Sequence, residues 1–203
     1  MSRAVGLAAL TAILLAACAG GGNGLPWNDD FSALGAWQAE SDATAQVDVQ
    51  DGVLRIHITV PDQLAWAVAG KSFRDVHITV DATQVGGPDD NEYGILARLR
   101  DHNNYYRFSI SGDGYFLISK VVNGRSELLG ANWTPADAIH QGQATNTLEV
   151  ICLGDTLTFR VNGEQLAQVQ DRQFANGDLG LYAGSFYEGG VEVHFDNLRV
   201  VQP

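Results

Sequence analysis

The stretch NNYYRFSISGDGYFLISKVVNG (residues 103–124) has the pattern of a β-hairpin. Two runs in which apolar and polar side chains alternate flank the turn sequence SGDG, and such alternation is typical of strands with one buried face. In the first run, Tyr106 and Phe108 fall on one face, whereas Tyr105 and Arg107 fall on the other. The hairpin therefore predicts an antiparallel sheet with tyrosine and arginine on its polar face.

The same period of two recurs along most of the chain. It is visible in VLRIHITV, DVHITVDATQV, YGILARLR, TLEVICLG, DTLTFRVNG, EQLAQVQ, GDLGLYAGSF and VEVHFDNLRVV. Connectors such as VNGEQ and ANGD supply the positive φ that tight turns require. We therefore expect an all-β fold, an antiparallel β-sandwich of roughly ten short strands. At most one short helix is expected, in TPADAIHQG (134–142), with Thr134 as its N-cap.

Acidic residues dominate the charge of the protein. The 203 residues include 24 acidic and 12 basic side chains, which gives a formal charge of -12 at pH 7. Such a charge repels nucleic acid and anionic lipid, and no run of basic residues offsets it. We therefore expect no nucleic-acid partner.

Residues 1–18 have the composition of an export signal. Arg3 precedes a mostly apolar run, and the LAAC at its end resembles the lipobox of bacterial lipoproteins, in which the cysteine receives the lipid. The resemblance implies that Cys18 is lipidated and that the protein is exported and membrane-anchored in the cell envelope. An ordinary signal peptide with an incidental cysteine is the alternative. Residues 19–26 would form a flexible tether, and residues 27–203 the β-sandwich domain.

Cys152 is the other cysteine, and it lies within an alternating strand pattern. If Cys18 carries lipid, no disulfide can form inside the domain. We therefore predict that Cys152 is a small buried hydrophobic residue, with a nucleophilic thiol as the alternative.

Five motifs follow one another along the chain: DDFSALGAWQ, YGILARLRDHNNYYRFSISGDGYFLISK, NTLEVICLGDTLTFRVNGEQLAQVQD, GDLGLYAGSF and VEVHFDNLRV. Together they resemble concanavalin A-like lectin/glucanase jelly rolls. More narrowly, they are similar to envelope-associated bacterial domains related to the 3-keto-disaccharide hydrolase domain and to laminin G-like modules. The resemblance covers residues 27–201. It implies a jelly-roll fold, which hosts lectins, glycosidases and adhesive modules alike.

A set of aromatic and arginine side chains is the candidate ligand-binding face. Aromatic rings pack against the C–H faces of sugars, and guanidinium groups donate to their hydroxyls. The candidates are Arg98, Tyr105, Arg107, Tyr115 and Trp133. If their strands are neighbours, Arg98, Tyr105 and Arg107 would share one face, and Trp133 would lie over its edge. The alternative is that the arginines offset the many acids while the tyrosines fill space between strands.

Catalysis would require two carboxylates facing each other across a bound sugar. The E-x-D-x-x-E run of laminarinase-like members is absent, and Glu192 is the best candidate for one partner on the concave face. The alternative is that Glu192 occupies a polar position on an exposed strand. Because the carboxylate run is absent, we assign no catalytic residue. Because the five histidines have no metal-ligand spacing, we assign no metal ligand.

Asp29, Asp30 and Asp196 would meet if the last strand returns beside the first. Carboxylates that converge in this way can hold a structural calcium ion, and surface or turn-capping acids are the alternative. No other cofactor is expected.

Three functions follow from these observations. The leading hypothesis is non-catalytic binding of a carbohydrate or glycoconjugate by a lipid-anchored envelope module. The alternatives are a glycoside-acting hydrolase related to the 3-keto-disaccharide hydrolases and a structural or adhesive envelope protein.

Overall fold

A computed structural model describes residues 24–203, so Cys18 and most of the expected tether lie outside the described residues. Within this range every regular element is a β-strand, and no helix is long and apolar enough to cross a membrane. The strands are β1 (Trp27–Asp29), β2 (Gln38–Ala39), β3 (Ala45–Gln50), β4 (Val53–Ile58), β5 (Gln63–Val68), β6 (Val76–Gly86), β7 (Glu92–Asp101), β8 (Asn104–Ile110), β9 (Tyr115–Val122), β10 (Arg125–Leu128), β11 (Thr134–Pro135), β12 (Thr145–Leu153), β13 (Thr156–Val161), β14 (Glu164–Gln170), β15 (Asp178–Ser185) and β16 (Val191–Val201).

The strands form two antiparallel sheets. Sheet I has the order β14-β13-β12-β6-β16-β4-β3, and β1 also pairs with β16. Sheet II has the order β10-β9-β8-β7-β15-β5-β2, and β11 also pairs with β9. The two sheets pack face to face, which confirms the predicted antiparallel β-sandwich.

The core lies between the sheets and takes alternate residues from both. Tyr106 and Phe108 of β8 are fully buried in it, as the alternation predicted. The Phe108 ring packs at 5.6 Å from the ring of Phe159 on β13, which joins sheet II to sheet I. Cys152 of β12 is fully buried in the same core, and burial raises the pKa of its thiol to about 12. The prediction of a small buried hydrophobic residue is therefore confirmed.

The predicted tight turn at Asn162 and Gly163 is confirmed. Both residues have positive φ, 50° and 82°, and they join β13 to β14. The Asn162 side chain also donates to the Ala138 carbonyl at 2.8 Å, so the turn holds a neighbouring loop in place.

The helix predicted for residues 134–142 is wrong. The first two residues form β11 beside β9, and the residues after them form turns. The backbone N–H of Ala136 donates to the Gly114 carbonyl at 3.0 Å, and that of Gly142 donates to the Gly112 carbonyl at 2.8 Å. The segment thus bonds part of its backbone to the turn of the opening hairpin, while the N–H of Ile139 donates within the segment to the Ala136 carbonyl at 3.1 Å.

Candidate functional site

The face of sheet II that points away from sheet I, which we call the outer face, carries its own buried cluster. Its members are Leu96, Leu99, Tyr105, Val121 and Tyr182, with Leu64, Trp66 and Val68 packed against them. Gly184 of β15 allows this packing, because a Cβ there would lie 2.6 Å from Cδ2 of Leu64 and 2.9 Å from Cγ of Glu92.

A polar cluster lies next to the apolar one on the outer face, with Glu92 at its centre. Nη1 of Arg107 donates to Oε1 of Glu92 at 3.0 Å, and the hydroxyls of Ser109 and Tyr182 donate to Oε2 at 3.3 Å and 3.2 Å. Nε of Arg107 donates to the hydroxyl of Ser119 at 3.2 Å. Because these groups come from β7, β8, β9 and β15, the cluster ties four adjacent strands together.

Burial controls the protonation of this cluster. It raises the pKa of Glu92, and the charge of Arg107 and the hydrogen bonds from Tyr182 and Ser109 offset that rise only in part. Burial likewise raises the pKa of Tyr182 well above its ordinary value, so the phenol stays protonated and serves as a donor. Glu92 is only 4% exposed, which places its carboxylate beneath the surface of the face.

At the β5 and β2 side of sheet II, the protein has a groove of about 570 Å³, the edge groove. Its lining includes Gln38, Glu40, Asp42, Gln63, Trp66 and His102. The half-buried ring of Trp66 lies 5.4 Å from the ring of exposed His102 and 6.2 Å from the ring of Tyr105. The lining of the groove thus combines an aromatic ring with amide and carboxylate side chains, a combination that suits sugars.

The structure places two of the five predicted ligand residues on the outer face. Tyr105 and Arg107 share the outer face, as the alternation predicted, although Tyr105 is 4% exposed and the Arg107 side chain 12%. Of the two, only Tyr105 contacts the lining of the edge groove, through the ring of Trp66. Arg107 is instead part of the Glu92 cluster.

The expectation that Arg98 shares this face is wrong. A register irregularity interrupts the pairing of β7 with β8 after Ala97, and Arg98 has a φ of 49°. The guanidinium turns away from the outer face and donates to the backbone carbonyls of Arg74, Phe174 and Gly154. Side chains no longer alternate strictly between the two faces at a β-bulge, so the sequence pattern assigned Arg98 to the wrong face.

Tyr115 and Trp133 lie apart from both the outer face and Arg98. With Phe186 they line a pocket of about 270 Å³ at one end of the sandwich, the end pocket. Trp133 meets Phe186 edge to face, with 6.2 Å between ring centroids, and Tyr115 is 38% exposed. Trp133 lies in the loop between β10 and β11, and its role as a ligand residue stays a prediction.

Glu192 does not lie on the outer face of sheet II. It belongs to β16 of sheet I, where its Oε1 lies 2.8 Å from Nε2 of His194 on the surface away from the core. Glu192 therefore occupies a polar position on a strand, which is the alternative that the sequence left open, and it lies on a different sheet from the Glu92 cluster. The carboxylate on the outer face is Glu92, which the glycosidase pattern did not single out.

The last strand does return beside the first, since Asp29 of β1 pairs with Leu198 of β16. The Asp29 carboxylate accepts from the Trp37 indole at 2.9 Å and from the Phe31 backbone at 2.9 Å, so it acts as a turn-capping acid. Between residues 24 and 203 no group of three or more histidine, cysteine or acidic side chains is placed to hold a metal ion.

Sequence reasoning missed the wall of the edge groove. The run QLAWAV (63–68) becomes β5, in which Leu64, Trp66 and Val68 face outward and small alanines face the core. A large-small alternation of this kind is a strand signal even though both faces are apolar. It could have identified Trp66, whereas its nearness to His102 depends on strand order.

Two solved structures show the class of fold. The carbohydrate binding module CBM66 from Bacillus subtilis is 17% identical, with a TM-score of 0.65 over 82% of this chain and 96% of that one. A Bacillus licheniformis beta-glucanase is 11% identical, with a TM-score of 0.67 over 88% of this chain and 98% of that one. The protein therefore has the jelly-roll fold of the concanavalin A-like lectins and glucanases.

The family can be stated more narrowly. Residues 26–201 match the model of the 3-keto-alpha-glucoside-1,2-lyase-like domain, and the chain belongs to this family. No curated protein matches the sequence.

Proposed function

We propose that the protein binds a glycan in the edge groove without cleaving it, and that lipid on Cys18 anchors it in the cell envelope. The observation that carries the binding proposal is the partly exposed Trp66 ring, which packs near the rings of His102 and Tyr105 and shares the groove lining with amide and carboxylate side chains. A volume of about 570 Å³ has room for more than one sugar ring. A carbohydrate binding module with the same fold supports this proposal.

The test is electrophoresis of the purified protein through gels cast with a panel of polysaccharides. We expect one or more neutral polysaccharides to retard the protein, and Trp66→Ala to weaken this binding by about tenfold or more, because the stacking surface is removed. Tyr187→Ala is the matched control, since Tyr187 is 86% exposed and lies outside the groove lining. Migration unchanged in every gel, or retardation that survives Trp66→Ala, would contradict the proposal.

A second candidate function is lyase chemistry, and the Glu92 carboxylate favours it. A ketone at C3 of a glucoside acidifies the C2 proton, so a base can remove that proton. The electrons of the C2–H bond then form a C1=C2 bond, the C1–O bond breaks, and the aglycone takes a proton from solvent and leaves as an alcohol. A carboxylate with a raised pKa on the outer face is suited to act as the base. Its low exposure and its three donors place this function behind binding.

Incubation with a 3-keto-glucoside tests the lyase directly. Elimination would generate a conjugated enone, with new ultraviolet absorbance, and Glu92→Gln would abolish it. If the absorbance stays unchanged at high protein concentration, the lyase assignment fails and the binding proposal stands.

A further inference from the structure

The end pocket is separate from the edge groove and has a different chemistry. The rings of Tyr115, Trp133 and Phe186 form part of its wall. The turn of the opening hairpin contributes Asp113, and the loop before β7 contributes Asp90. Within the described part of the chain, none of the residues that line the pocket is basic.

Asn91 marks this pocket as a place for a ligand. Asn91 lines the pocket and its side chain is fully buried, yet among residues 24–203 neither Oδ1 nor Nδ2 has a hydrogen-bond partner. Buried amides without partners are rare, because each loses its bonds to water and gains none. Both atoms are buried, so a small local shift is needed before a ligand hydroxyl can bond to them.

The charge of the end pocket is negative and not neutralised. Asp90 and Asp113 are both exposed, and neither forms an ion pair within residues 24–203. Asp113 accepts a hydrogen bond from the Ser111 hydroxyl, which fixes its orientation. Carboxylates beside aromatic rings attract cations through both the charge and the ring quadrupole.

We propose that the end pocket binds one sugar ring that carries a protonated amine, such as a hexosamine residue. The ring would pack its C–H face on Trp133 or Tyr115, the ammonium would lie between the carboxylates, and a hydroxyl would satisfy the amide of Asn91. The volume of about 270 Å³ suits a single ring. This site goes beyond the edge groove and does not depend on it.

The test compares methyl glucosaminide with its N-acetyl form and with methyl glucoside, by calorimetry and tryptophan fluorescence on the purified protein. We expect the free amine to bind at least tenfold more tightly than either neutral sugar, and added salt to weaken its binding. Asp90→Asn with Asp113→Asn should remove the preference; both side chains are exposed, so the fold is retained. Trp133→Phe should remove the fluorescence change while calorimetric binding persists.

Trp66→Ala is the control that separates the two sites, since Trp66 lines the edge groove and not the end pocket. Binding of the amine should be unchanged in this variant. Equal affinity for the three sugars, or no binding of any, would overturn the proposal whatever the edge groove does. Loss of amine binding in Trp66→Ala would also overturn it, because the amine would then occupy the groove.

Discussion

Replacing Arg98 by methionine is expected to lower the free energy of unfolding by about 3–5 kcal/mol. The Arg98 side chain is 1% exposed, and its guanidinium donates to three backbone carbonyls, one of them in the loop after β12 of sheet I. Methionine fills a similar volume but leaves those carbonyls without their donor. Urea unfolding followed by circular dichroism measures the effect.

Arg98→Lys should recover little of this loss, because a single ammonium cannot reproduce a planar fork that reaches several carbonyls. The matched control is Arg100→Met, an exposed arginine on the same strand, with an expected loss below about 1 kcal/mol. Binding in the edge groove should survive in the folded fraction of Arg98→Met. Full stability of Arg98→Met, or recovery in Arg98→Lys, would contradict the structural role. Loss of glycan binding in folded protein would restore the ligand role that the sequence suggested.

The period of two along the strands was enough to predict the fold class, and it placed Tyr105 and Arg107 on one face. Each alternating run needs only local information, because successive side chains of a strand point to opposite faces. The same logic failed at Arg98, where a residue with positive φ breaks the alternation. The same logic leaves the sheet of Glu192 open, since a pattern assigns a residue to one face of its strand but does not say to which sheet that strand belongs.

The residues that form the candidate sites could be predicted only in part. Trp133 and Tyr115 were chosen for their chemistry, but their meeting depends on the pairing of β11 with β9, where a helix was expected. Trp66 and His102 meet because the strand order of sheet II brings β5 close to the turn between β7 and β8. Contacts between segments distant in sequence leave no local signal.

The second large effect is expected for the ion pair of Glu92 and Arg107. Glu92→Met should cost about 3 kcal/mol or more, because it leaves the largely buried guanidinium of Arg107 without its counter-charge. Arg107→Met should cost less, since Glu92 keeps two hydroxyl donors and can become neutral by binding a proton. The double variant should be more stable than the sum of the single losses predicts, by about 1–3 kcal/mol. Urea unfolding of the four proteins gives this coupling energy.

The pH dependence of Arg107→Met supplies an independent check. Burial raises the pKa of Glu92, and removal of the neighbouring positive charge raises it further. A carboxyl whose pKa is higher in the folded than in the unfolded protein contributes stability below the unfolded pKa, and this contribution is lost as the pH rises through the folded pKa. The loss in free energy of unfolding caused by Arg107→Met should therefore be small at about pH 4 and grow toward about pH 8.

The control is Arg55→Met, which breaks the more exposed pair with Asp48 and should lower the free energy of unfolding by less than about 1 kcal/mol. The pair does not hold the outer face together if the double variant loses as much free energy of unfolding as the two single variants combined. A loss in Arg107→Met that does not change with pH would show the same.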